Sequence, residues 1–538
     1  MQFLQKQTIF IIFALMINNE ELFKKIVAHC KEYGFVFPSS EIYDGLSAVY
    51  DYGQNGTELK RNIREYWWSA MVKLHDNIVG IDAAIFMHPT TWKASGHVDA
   101  FNDPMVDNKD SKKRYRADVL VEEYIANKLK AKIDKEVEKA AERFGSAFDK
   151  NQFLQTNPRV LEYNAKIAEV EARMKKAMEE ENLADFKQLI EDLNIVCPVS
   201  GTCNWTDVRQ FNLMFATEIG SVSEEANKIY LRPETAQGIF VNFLNVQKTG
   251  RMKIPFGIAQ IGKAFRNEVI ARQFIMRMRE FEQMEMQFFV RPGEDKKWFE
   301  YWKEARLKWH KAIGTAPEKY RYHDHVKLAH YANAATDIEF EFPFGFKEVE
   351  GIHSRTDFDL SQHQEFSGKK MQYFDAELDE NGKPYGNYVP YVIETSIGLD
   401  RMFLLTMINA LEEEDLSTPE KQDSRTLLRL HPALAPVKAA IFPLTKKDGL
   451  PEKAREIMDQ LKFDFNCIYE EKDAIGKRYR RQDAIGTPFC ITVDHQTLED
   501  NTVTIRHRDT MEQQRIEIKD LHWTIESKVS WRSLLSHS

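Results

Sequence analysis

Hydrophobic positions along this chain follow two spacings, one typical of helices and one typical of strands. Leu59 and Ile63 lie four residues apart within residues 56–74, which predicts a long amphipathic helix. A mostly apolar segment at 78–87, closed by His88-Pro89, predicts a buried strand. Two later elements follow from the same reasoning, a helix and a strand, at 296–313 and 336–342.

Two stretches with alternating side chains flank a polar loop and predict a pair of antiparallel strands. At the end of the first strand, Arg266 and Glu268 would point to the same side. One face of the return strand would carry an aromatic ring, an amide and a carboxylate, from Phe281, Gln283 and Glu285. A ring beside such polar groups predicts a surface that binds a nucleotide.

A third stretch joins a strand to a helix. The apolar residues 388–393 predict the strand, which runs into Gly398. Met402, Leu404 and Leu405 then predict a helix, so Arg401 would lie in its first turn. A guanidinium held at that place can bind a triphosphate.

The rest of the pattern divides the chain. Residues 117–194 are rich in Lys, Glu and Ala, with helical periodicity interrupted near 144–158, and they predict an insertion. Two interpretations stay open, a pair of solvated surface helices or an arm that contacts a large substrate. A boundary is predicted within 416–431, where Ser-Thr-Pro, a charge cluster and His431-Pro432 separate two apolar patterns.

These elements predict an α+β protein with a mostly antiparallel sheet, flanking helices and a small C-terminal α/β domain. The C-terminal strands are predicted at 439–444, 465–469, 489–493 and 503–506. A helix at 453–461 and a basic loop at 476–481 are predicted between them.

Composition narrows the class of protein. With 538 residues the chain is long enough for two or three domains, and its 43% hydrophobic and 29% charged residues are typical of a soluble protein. A net charge of −9 argues against indiscriminate coating of nucleic acid, although a local basic patch remains compatible with such a partner. Five irregularly spaced cysteines favour a reducing compartment, which indicates the cytoplasm. Cys197 and Cys203 are interpreted as buried or incidental thiols, with half of a zinc site as the alternative.

The first seventeen residues have a separate interpretation. Their apolar run is shorter than the 20 or so residues that span a bilayer, and no small-residue cleavage site follows it. A weak signal peptide is the alternative to a misassigned start. Met16 is the predicted true start, because Asn18 or Asn19 can cap the helix that follows.

The three stretches together predict an adenylate-forming site. When ATP activates a carboxylic acid, the carboxylate attacks the α-phosphate and pyrophosphate leaves, so the protein must align the reactants and neutralise charge. Arg266 is predicted to bind the α-phosphate and the attacking carboxylate. Arg401 is predicted to lie toward the γ-phosphate and to stack on the adenine, with Phe281 on the other face.

Carboxylates complete this predicted ATP site. Glu268 would accept a hydrogen bond from an exocyclic amino group of the base. Glu348 and Glu394 are predicted to hold magnesium through oxygen ligands shared with the phosphates. Each of these residues has a structural interpretation when taken alone, because an Arg-x-Glu is most often a surface ion pair. The order of the three stretches along the chain is what favours a catalytic role.

Four further segments are distinctive: Gly34-Phe35-Val36-Phe37-Pro38-Ser39-Ser40-Glu41, Trp92-Lys93-Ala94-Ser95-Gly96-His97, Leu231-Arg232-Pro233-Glu234-Thr235-Ala236-Gln237-Gly238 and Thr356-Asp357-Phe358-Asp359-Leu360. With them the chain resembles the glycyl-tRNA synthetases, which are dimeric class II aminoacyl-tRNA synthetases, from about Asn19 to Leu535. The segment ending at Pro89 is similar to the first class II motif, which in that family builds the dimer interface. The stretches around Phe265 and Glu394 are similar to the second and third motifs.

The resemblance implies the class II antiparallel sheet with flanking helices and a C-terminal anticodon-binding domain. It also implies a glycine–tRNA ligase that uses ATP and Mg²⁺, forms a homodimer and takes tRNA(Gly) and glycine as partners. The implied parts are an N-terminal extension, a first catalytic segment with motif 1, a helical insertion, a catalytic core with motifs 2 and 3, and an anticodon-binding domain, at 1–17, 18–116, 117–194, 195–420 and 430–538.

The resemblance further implies two sets of site residues. ATP contacts would come from Arg266, Asn267, Glu268, Met276, Arg277, Met278, Arg279, Glu280, Phe281, Glu348, Val349, Gly398, Leu399, Asp400 and Arg401. Glycine contacts would come from Arg116, Glu234, Phe281, Glu282, Gln283, Met284, Glu285, Glu394, Thr395, Ser396, Ile397 and Gly398. A pocket for glycine must hold an ammonium with carboxylates and leave no room beside the α-carbon, a task that suits Glu234, Glu285 and Glu394, with Ser396 closing the wall.

The C-terminal basic cluster is predicted to contact tRNA phosphates through Lys477, Arg478, Arg480 and Arg481. A solvated loop is the alternative. His323, His325 and His330 are interpreted as turn and packing residues rather than as a metal site.

Two departures from the family pattern stand out. Zinc-binding members carry cysteines before Arg116, where this chain has Asp107-Asn108-Lys109-Asp110-Ser111, so no structural zinc is expected. Gln54-Asn55 stands where Pro-Leu is commoner.

Two rival functions stay open at this point. One is a synthetase-like enzyme that stops at the adenylate or makes dinucleoside polyphosphates, against which the complete C-terminal domain speaks. The other is a non-catalytic nucleic-acid-binding accessory protein on the same fold. Both Arg266 and Arg401 are present, whereas loss of the phosphate-binding arginines would be expected in such a protein.

Overall fold

A computed structural model describes residues 19–145, 148–220, 227–268, 273–313, 316–325, 328–329 and 331–536. The N-terminal extension with the candidate starts Met1 and Met16, and also Asn18 and His330, lie outside the described residues. The chain forms two compact units. The first contains the described residues of Met1–Ser95, Ala216–Arg266 and Ala271–Ser538, and the second those of Gly96–Phe215 and Asn267–Ile270. Among the helices of this described part, none is long and apolar enough to cross a membrane.

The first unit begins with three helices and three short strands. They are α1 (19–32), β1 (Val36–Pro38), β2 (Tyr50–Tyr52), α2 (Gln54–Trp68), β3 (Ile78–Gly80) and α3 (Pro89–Ala94). The predicted amphipathic helix corresponds to α2, which continues as a π-helical segment over Ser69–Lys73. Gly56 is required near its start, because a Cβ there would stand 1.8 Å from the carbonyl oxygen of Phe35.

The strand predicted at 78–87 is much shorter in the structure. Only Ile78–Gly80 pairs with a neighbouring strand. The following residues leave the sheet, and Phe86 is exposed. An apolar run without alternation marks burial of a segment but not its conformation, which explains the error.

The second unit, described by itself, contains α4 (His97–Ala100), β4 (Asn102–Asp107), β5 (Arg114–Arg116), α5 (Ala117–Tyr124), α6 (Ala131–Phe144), α7 (Lys150–Thr156), α8 (Pro158–Glu179), α9 (Leu183–Asp192) and β6 (Arg209–Asn212). Its three strands form a sheet in the order β5-β4-β6. Phe186, Ile190 and Trp205 are buried in its core. This unit includes more residues than the insertion predicted at 117–194, because β4, which precedes that segment, pairs with β6, which follows it.

The first unit resumes with β7 (Ala216–Ile219), β8 (Asn227–Tyr230), α10 (Ala236–Val241), α11 (Phe243–Thr249), β9 (Phe256–Phe265), β10 (Glu280–Val290), α12 (Asp295–Ala312), β11 (Tyr320–Asp324), β12 (Ala334–Phe342), β13 (Gly345–Thr356), α13 (Phe358–Ser367), β14 (Tyr373–Leu378), β15 (Pro384–Tyr388), β16 (Tyr391–Gly398) and α14 (Leu399–Ala410). Seven strands form the main sheet in the order β11-β12-β13-β16-β10-β9-β3. Every pairing in it is antiparallel except β3 with β9.

One face of this sheet packs on α2, α12 and α14, where Trp67, Trp302 and Trp309 are almost completely buried. Part of the other face packs on α10, α11 and α13. The remainder of that second face carries polar side chains. The predicted α+β architecture with an antiparallel sheet is confirmed.

The chain continues through β17 (Leu411–Asp415), β18 (Ser424–Leu428), β19 (Ala439–Pro443), α15 (Leu450–Leu461), β20 (Cys467–Tyr469), α16 (Ile475–Ile485), β21 (Phe489–Val493), α17 (His495–Asp500), β22 (Thr502–His507), β23 (Gln513–Glu517), α18 (Leu521–Val529) and α19 (Trp531–Leu535). The last five strands form a sheet in the order β20-β19-β21-β22-β23, in which β19 pairs in parallel with β20 and β21.

One prediction for this region was wrong, and one pair of strands was missed. The basic loop predicted at 476–481 is the helix α16, because Gly476 lies in its first turn and does not break it. The hairpin of β17 and β18 was not predicted. Its strands are joined by ion pairs such as Arg425–Glu414 at 2.6 Å and Arg429–Glu412 at 3.0 Å, so the apolar alternation that reveals a strand is missing.

Candidate active site

Arg266 follows directly after β9 at the end of the antiparallel pair β9–β10. Its backbone N–H donates to the carbonyl of Arg279 at 2.9 Å, which continues the ladder by one residue. Its Nε donates to the Pro233 carbonyl at 3.1 Å, and its guanidinium carbon lies 5.3 Å from the centre of the Phe281 ring. The predicted strand pair and the neighbourhood of Arg266 and Phe281 are therefore present.

Arg401 lies in the first turn of α14, as predicted. Its guanidinium forms an ion pair with the Glu348 carboxylate at 3.1 Å and donates to the Glu348 carbonyl at 3.1 Å. The charge of Arg401 lowers the pKa of the Glu348 carboxyl. Both side chains remain partly exposed, at 29% and 47%.

A β-bulge decides where Glu348 points. In the register of β12 with β13, Ile338 faces Glu350 while the next residue, Glu339, faces Glu348, so Val349 is the extra residue. Glu350 packs on the helix side of the sheet with Arg306, at 2.7 Å. Because the bulge reverses the alternation, Glu348 lies on the opposite face, beside Arg401.

Strand alternation sorts the predicted site residues of β10 and β16 into two groups. Gln283 and Glu285 face the polar side with Ser396, whose hydroxyl lies 3.4 Å from the Gln283 amide nitrogen. The side chains of Met276, Met278, Met284, Val349, Thr395, Ile397 and Leu399 are buried, six of them in the main hydrophobic core. Any ligand contact from these residues would have to come from the backbone.

Glu282 and Asp400 also point away from the polar face. Glu282 forms ion pairs with Lys60 at 3.1 Å and with Arg64 at 3.3 Å, both on α2. Asp400 accepts hydrogen bonds from Lys60 at 2.8 Å and from the backbone N–H of Glu282 at 2.8 Å. Direct ligand contacts predicted for these two carboxylates do not fit their positions, because their oxygens are engaged on the helix side of the sheet.

The polar face carries a cluster of carboxylates. The Thr235 hydroxyl donates to Glu285, and the Gln287 amide nitrogen donates to Glu394 at 2.7 Å and lies 3.3 Å from Glu285. Glu234 accepts from the Gln237 amide at 3.1 Å. The three carboxylates predicted to hold an ammonium group thus belong to one hydrogen-bonded network.

Two cations balance this cluster. Arg355 forms ion pairs with Glu394 at 3.0 Å and with Asp359 at 2.7 Å, and His353 contacts Glu394 at 3.0 Å. Although burial opposes ionisation, Arg355 and His353 lower the pKa of Glu394 to about 2. Burial first, and then the charges of Glu394 and Glu234, raise the pKa of Glu285 well above its usual range. The site therefore holds one firmly ionised carboxylate beside one that retains its proton more readily.

Sequence reasoning assigned no role to Arg355, His353 or Gln287. The signal available was indirect, because a buried glutamate such as Glu394 requires a cationic partner. His353 is paired with Glu394 in the strand register, and Arg355 follows two residues later on the same face. That register is a long-range property of the fold.

Glu348 and Glu394, both predicted to hold magnesium, do not lie close enough in the sheet to bind one ion together. Glu348 precedes His353, the register partner of Glu394, by five residues including the bulge, so the two carboxylates are separated by roughly 13 Å along the strands. Ligand distances to magnesium are about 2 Å. The oxygens of Glu394 are also engaged by Arg355, His353 and Gln287, so Glu348 is the better candidate.

Of the histidines interpreted as turn and packing residues, His323 and His325 lie at the edge of the sheet. His325 contacts Asp337 at 2.8 Å, and His323 contacts Glu339 at 3.4 Å. Within the described residues, no group of three or more His, Cys, Asp or Glu side chains is arranged to hold a metal ion.

Three predicted site residues belong to the second compact unit. Arg116 forms ion pairs with Asp103 at 3.1 Å and Asp118 at 2.6 Å, and its pKa is raised mainly by Asp118. The backbone N–H of Asn267 donates to the Leu213 carbonyl at 2.7 Å. The charge of Glu268 acts on Arg116 within the same unit.

The same unit contains the cysteines considered as half of a zinc site. The Cys197 sulfur is 1% exposed and lies 3.3 Å from the hydroxyls of both Ser111 and Tyr115. Burial opposes ionisation, but these hydrogen bonds and those from Ser200 lower the pKa of Cys197 to about 6. Cys203 lies 3.0 Å from the Asn194 side-chain oxygen.

The four basic residues predicted to contact tRNA lie on α16 and differ in accessibility. Arg478 is buried and donates to the Pro443 carbonyl at 2.7 Å. Arg480 pairs with Asp423 at 3.2 Å and Arg481 with Asp473 at 2.9 Å, whereas Lys477 is exposed. Arg478 thus stabilises the domain, and Lys477 is the most accessible of the four.

Three family models match consecutive parts of the chain. "Glycyl-tRNA synthetase insertion domain 1" matches residues 103–213, "tRNA synthetase class II core domain (G, H, P, S and T)" matches 215–410, and "Anticodon binding domain" matches 438–528. The first match covers most of the second compact unit, and the second contains β9, β10, β16 and α14.

Similar proteins match along almost the whole chain. A "Glycine--tRNA ligase" of Chlorobaculum tepidum is 51% identical over 500 residues, covering 92% of this chain and 97% of the relative. Proteins of the same name from Staphylococcus haemolyticus and Treponema denticola are 49% and 48% identical, each over 94% of this chain and over 98% and 97% of the relatives. The chain therefore belongs to the glycine–tRNA ligase family of class II aminoacyl-tRNA synthetases.

Proposed function

We propose that this protein is a glycine–tRNA ligase. It forms glycyl-adenylate and pyrophosphate from glycine and ATP, and then transfers the glycyl group to the 3′ end of tRNA(Gly). The observation that carries the proposal is that Arg266, Arg401 and the carboxylates Glu285 and Glu394 are positioned by adjoining strands of one sheet. Phosphate-binding and ammonium-binding groups are thereby combined on one scaffold.

The carboxylate cluster supports glycine as the substrate. An ammonium group between Glu234, Glu285 and Glu394 would gain several charge-assisted hydrogen bonds. Ser396 and Gln283 line the adjacent strands and would leave little space beside the α-carbon. Larger amino acids are excluded by contact alone, so no editing step is required.

Two guanidiniums support ATP as the co-substrate. Arg266 is held by the Pro233 carbonyl and the Phe281 ring, so it can meet the α-phosphate with little loss of conformational freedom. Arg401 is held by Glu348 and would bind the γ-phosphate. Charge that develops on the phosphoryl oxygens during attack would be stabilised by these fixed donors.

Magnesium fits the phosphate end of this site. Glu348 is half-exposed. Partial burial, and then the charge of Glu348, raise the pKa of nearby Asp337, so the two carboxylates lie close enough to interact. Glu348 would hold the ion, with Asp337 as a neighbouring carboxylate. When bound with ATP, the ion would neutralise part of the phosphate charge.

The partners follow from the family. The anticodon-binding match supports tRNA recognition by the C-terminal domain, and the exposed Lys477 on α16 is the best placed of the predicted phosphate contacts. We further propose a homodimer and a cytoplasmic location. Five free thiols support the reducing compartment.

Amino-acid-dependent ATP–pyrophosphate exchange tests the proposal. Exchange with glycine alone among the twenty amino acids is expected, followed by charging of a tRNA(Gly) transcript. Arg266→Ala should abolish exchange and leave the protein folded. Absence of exchange from folded wild-type protein would favour a non-catalytic nucleic-acid-binding accessory protein, and exchange without charging would favour an enzyme that stops at the adenylate.

A further inference from the structure

A buried polar cluster lies between β10 and α2, on the opposite side of the sheet from the substrate face. It consists of Asp400, Tyr52, Lys60 and Glu282. One oxygen of Asp400 accepts from the Tyr52 hydroxyl and from Lys60 Nζ at 2.8 Å, and the other accepts from the Glu282 backbone N–H at 2.8 Å. Lys60 Nζ also lies 3.1 Å from the Glu282 carboxylate and 4.1 Å from the centre of the Tyr52 ring.

Two members of this cluster are adjacent in sequence to a phosphate-binding arginine or to the ring that supports one. Asp400 precedes Arg401 in the first turn of α14. Glu282 follows Phe281, whose ring supports the Arg266 guanidinium. A single carboxylate therefore ties the start of α14 to β10, and so connects the supports of the two guanidiniums.

The chemistry of the cluster is costly for a purely structural element. Lys60, Glu282 and Asp400 are each less than 9% exposed. Buried ion pairs contribute little net stability compared with apolar side chains of similar volume, but removal of one partner leaves an uncompensated charge. Such a network is best used where geometry must be fixed, because each group accepts only one arrangement of donors and acceptors.

The protonation states are consistent with a fixed network. Burial acts to lower the pKa of Lys60, yet the charges of Asp400 and Glu282 raise it overall, so the ammonium stays charged. Burial and then the Asp400 charge raise the pKa of Tyr52 well above its usual range, so the hydroxyl remains a donor.

We propose that Lys60 and Tyr52 are positioning residues that set the geometry of Arg266 and Arg401 through Asp400 and Glu282. The proposal rests on the proposed function, since it assigns these residues to the alignment of ATP. They act on the rate of the chemical step and do not touch the substrates. A displacement of about 1 Å at such a centre can lower a rate on the order of 100-fold.

The test compares Lys60→Met with a matched control, Arg64→Met. Both positions lie on α2 and contact Glu282, but Arg64 is 46% exposed and pairs with the Glu282 oxygen Oε1, whereas Lys60 pairs with Oε2 and with Asp400. Lys60→Met is expected to lower kcat of glycine-dependent ATP–pyrophosphate exchange at least tenfold, with KM for glycine changed less than twofold. Arg64→Met is expected to keep the wild-type kcat. Lys60→Arg, which restores the charge, should recover part of the loss.

Tyr52→Phe supplies a second variant that retains its ring packing on Phe403, at 5.1 Å between centroids. It removes one donor only and should lower kcat several-fold with an unchanged urea midpoint. Each rate is divided by the concentration of folded enzyme, and circular dichroism measures the folded fraction. The proposal is overturned if Lys60→Met and Tyr52→Phe keep wild-type kcat, or if every loss follows the folded fraction. Absence of exchange in the wild type would instead refute the proposed function.

Discussion

Two arginines pair with glutamates that lie on opposite faces of the same sheet, and they allow function to be separated from stability. Arg401 is 29% exposed and pairs with a Glu348 that is 47% exposed, whereas Arg306 is 3% exposed and pairs with a fully buried Glu350 at 2.7 Å. The substitutions Arg401→Gln and Arg306→Gln each replace a charged guanidinium with a neutral amide. Their effects should nevertheless differ in kind.

The magnitudes follow from exposure. An ion pair as exposed as that of Arg401 contributes about 0–1 kcal/mol to stability, but loss of a donor to developing charge costs about 3–4 kcal/mol of transition-state stabilisation, or a 10²- to 10³-fold lower rate. Loss of Arg306 leaves the buried Glu350 beside His310, at 2.7 Å, and burial lowers the pKa of this imidazole, so it does not replace the lost positive charge. Breaking a buried pair costs about 3–5 kcal/mol of unfolding free energy.

Two assays distinguish the variants. Glycine-dependent ATP–pyrophosphate exchange measures kcat/KM. Urea unfolding is followed by tryptophan fluorescence, to which Trp309 contributes, and the Arg306 guanidinium lies 4.3 Å from the Trp309 ring. Arg401→Gln should lose activity at an unchanged urea midpoint. Arg306→Gln should lose stability, while the activity of its folded molecules remains within about threefold of the wild-type value. The reverse pattern, or a loss of more than about 2 kcal/mol of stability in Arg401→Gln, would refute this reasoning.

Three further predictions concern single positions. Burial and neighbouring charges raise the pKa of Glu285, so its contribution to folding stability is full below the ordinary carboxyl pKa of 4.5 and is lost as pH rises through the raised pKa. Because the ionised form of Glu285 is needed to bind the ammonium group, KM for glycine should fall over the same rise in pH. A KM independent of pH would contradict the assignment. The pKa of Cys197 is lowered from 9.0 to about 6, so the stabilising contribution of its thiolate is full above pH 9 and is lost as pH falls toward 6. Cys197→Ser should therefore flatten the dependence of the unfolding free energy on pH in that window. An unchanged slope would count against a native thiolate. Gly56→Ala should lower the unfolding free energy of the protein in urea by about 1–3 kcal/mol or more, because the added Cβ would stand 1.8 Å from the Phe35 carbonyl oxygen. In the control variant Gly476→Ala, on α16, the added Cβ meets nothing within 4 Å, so this change should be neutral or stabilising.

Local periodicity determined the elements that build the site. Alternation in the stretches around Arg266 and Phe281 predicted antiparallel strands, and the apolar spacing after Gly398 predicted the helix that carries Arg401. These signals are readable because strand and helix periods are properties of neighbouring residues. The family resemblance came from these stretches together with four further segments, and the similar proteins confirm it.

Only the tertiary structure decided which side chains meet. The bulge at Val349 turns Glu348 toward Arg401, and the register of β13 with β16 places His353 and Arg355 beside Glu394. The position of Asp400 between α2 and β10 likewise depends on packing across 340 residues of sequence, the separation between Lys60 and Asp400. Sequence alone predicted the arginines and glutamates of the candidate site, but the partners that set their charge and direction come from strands distant in sequence. Only the folded sheet brings those strands together.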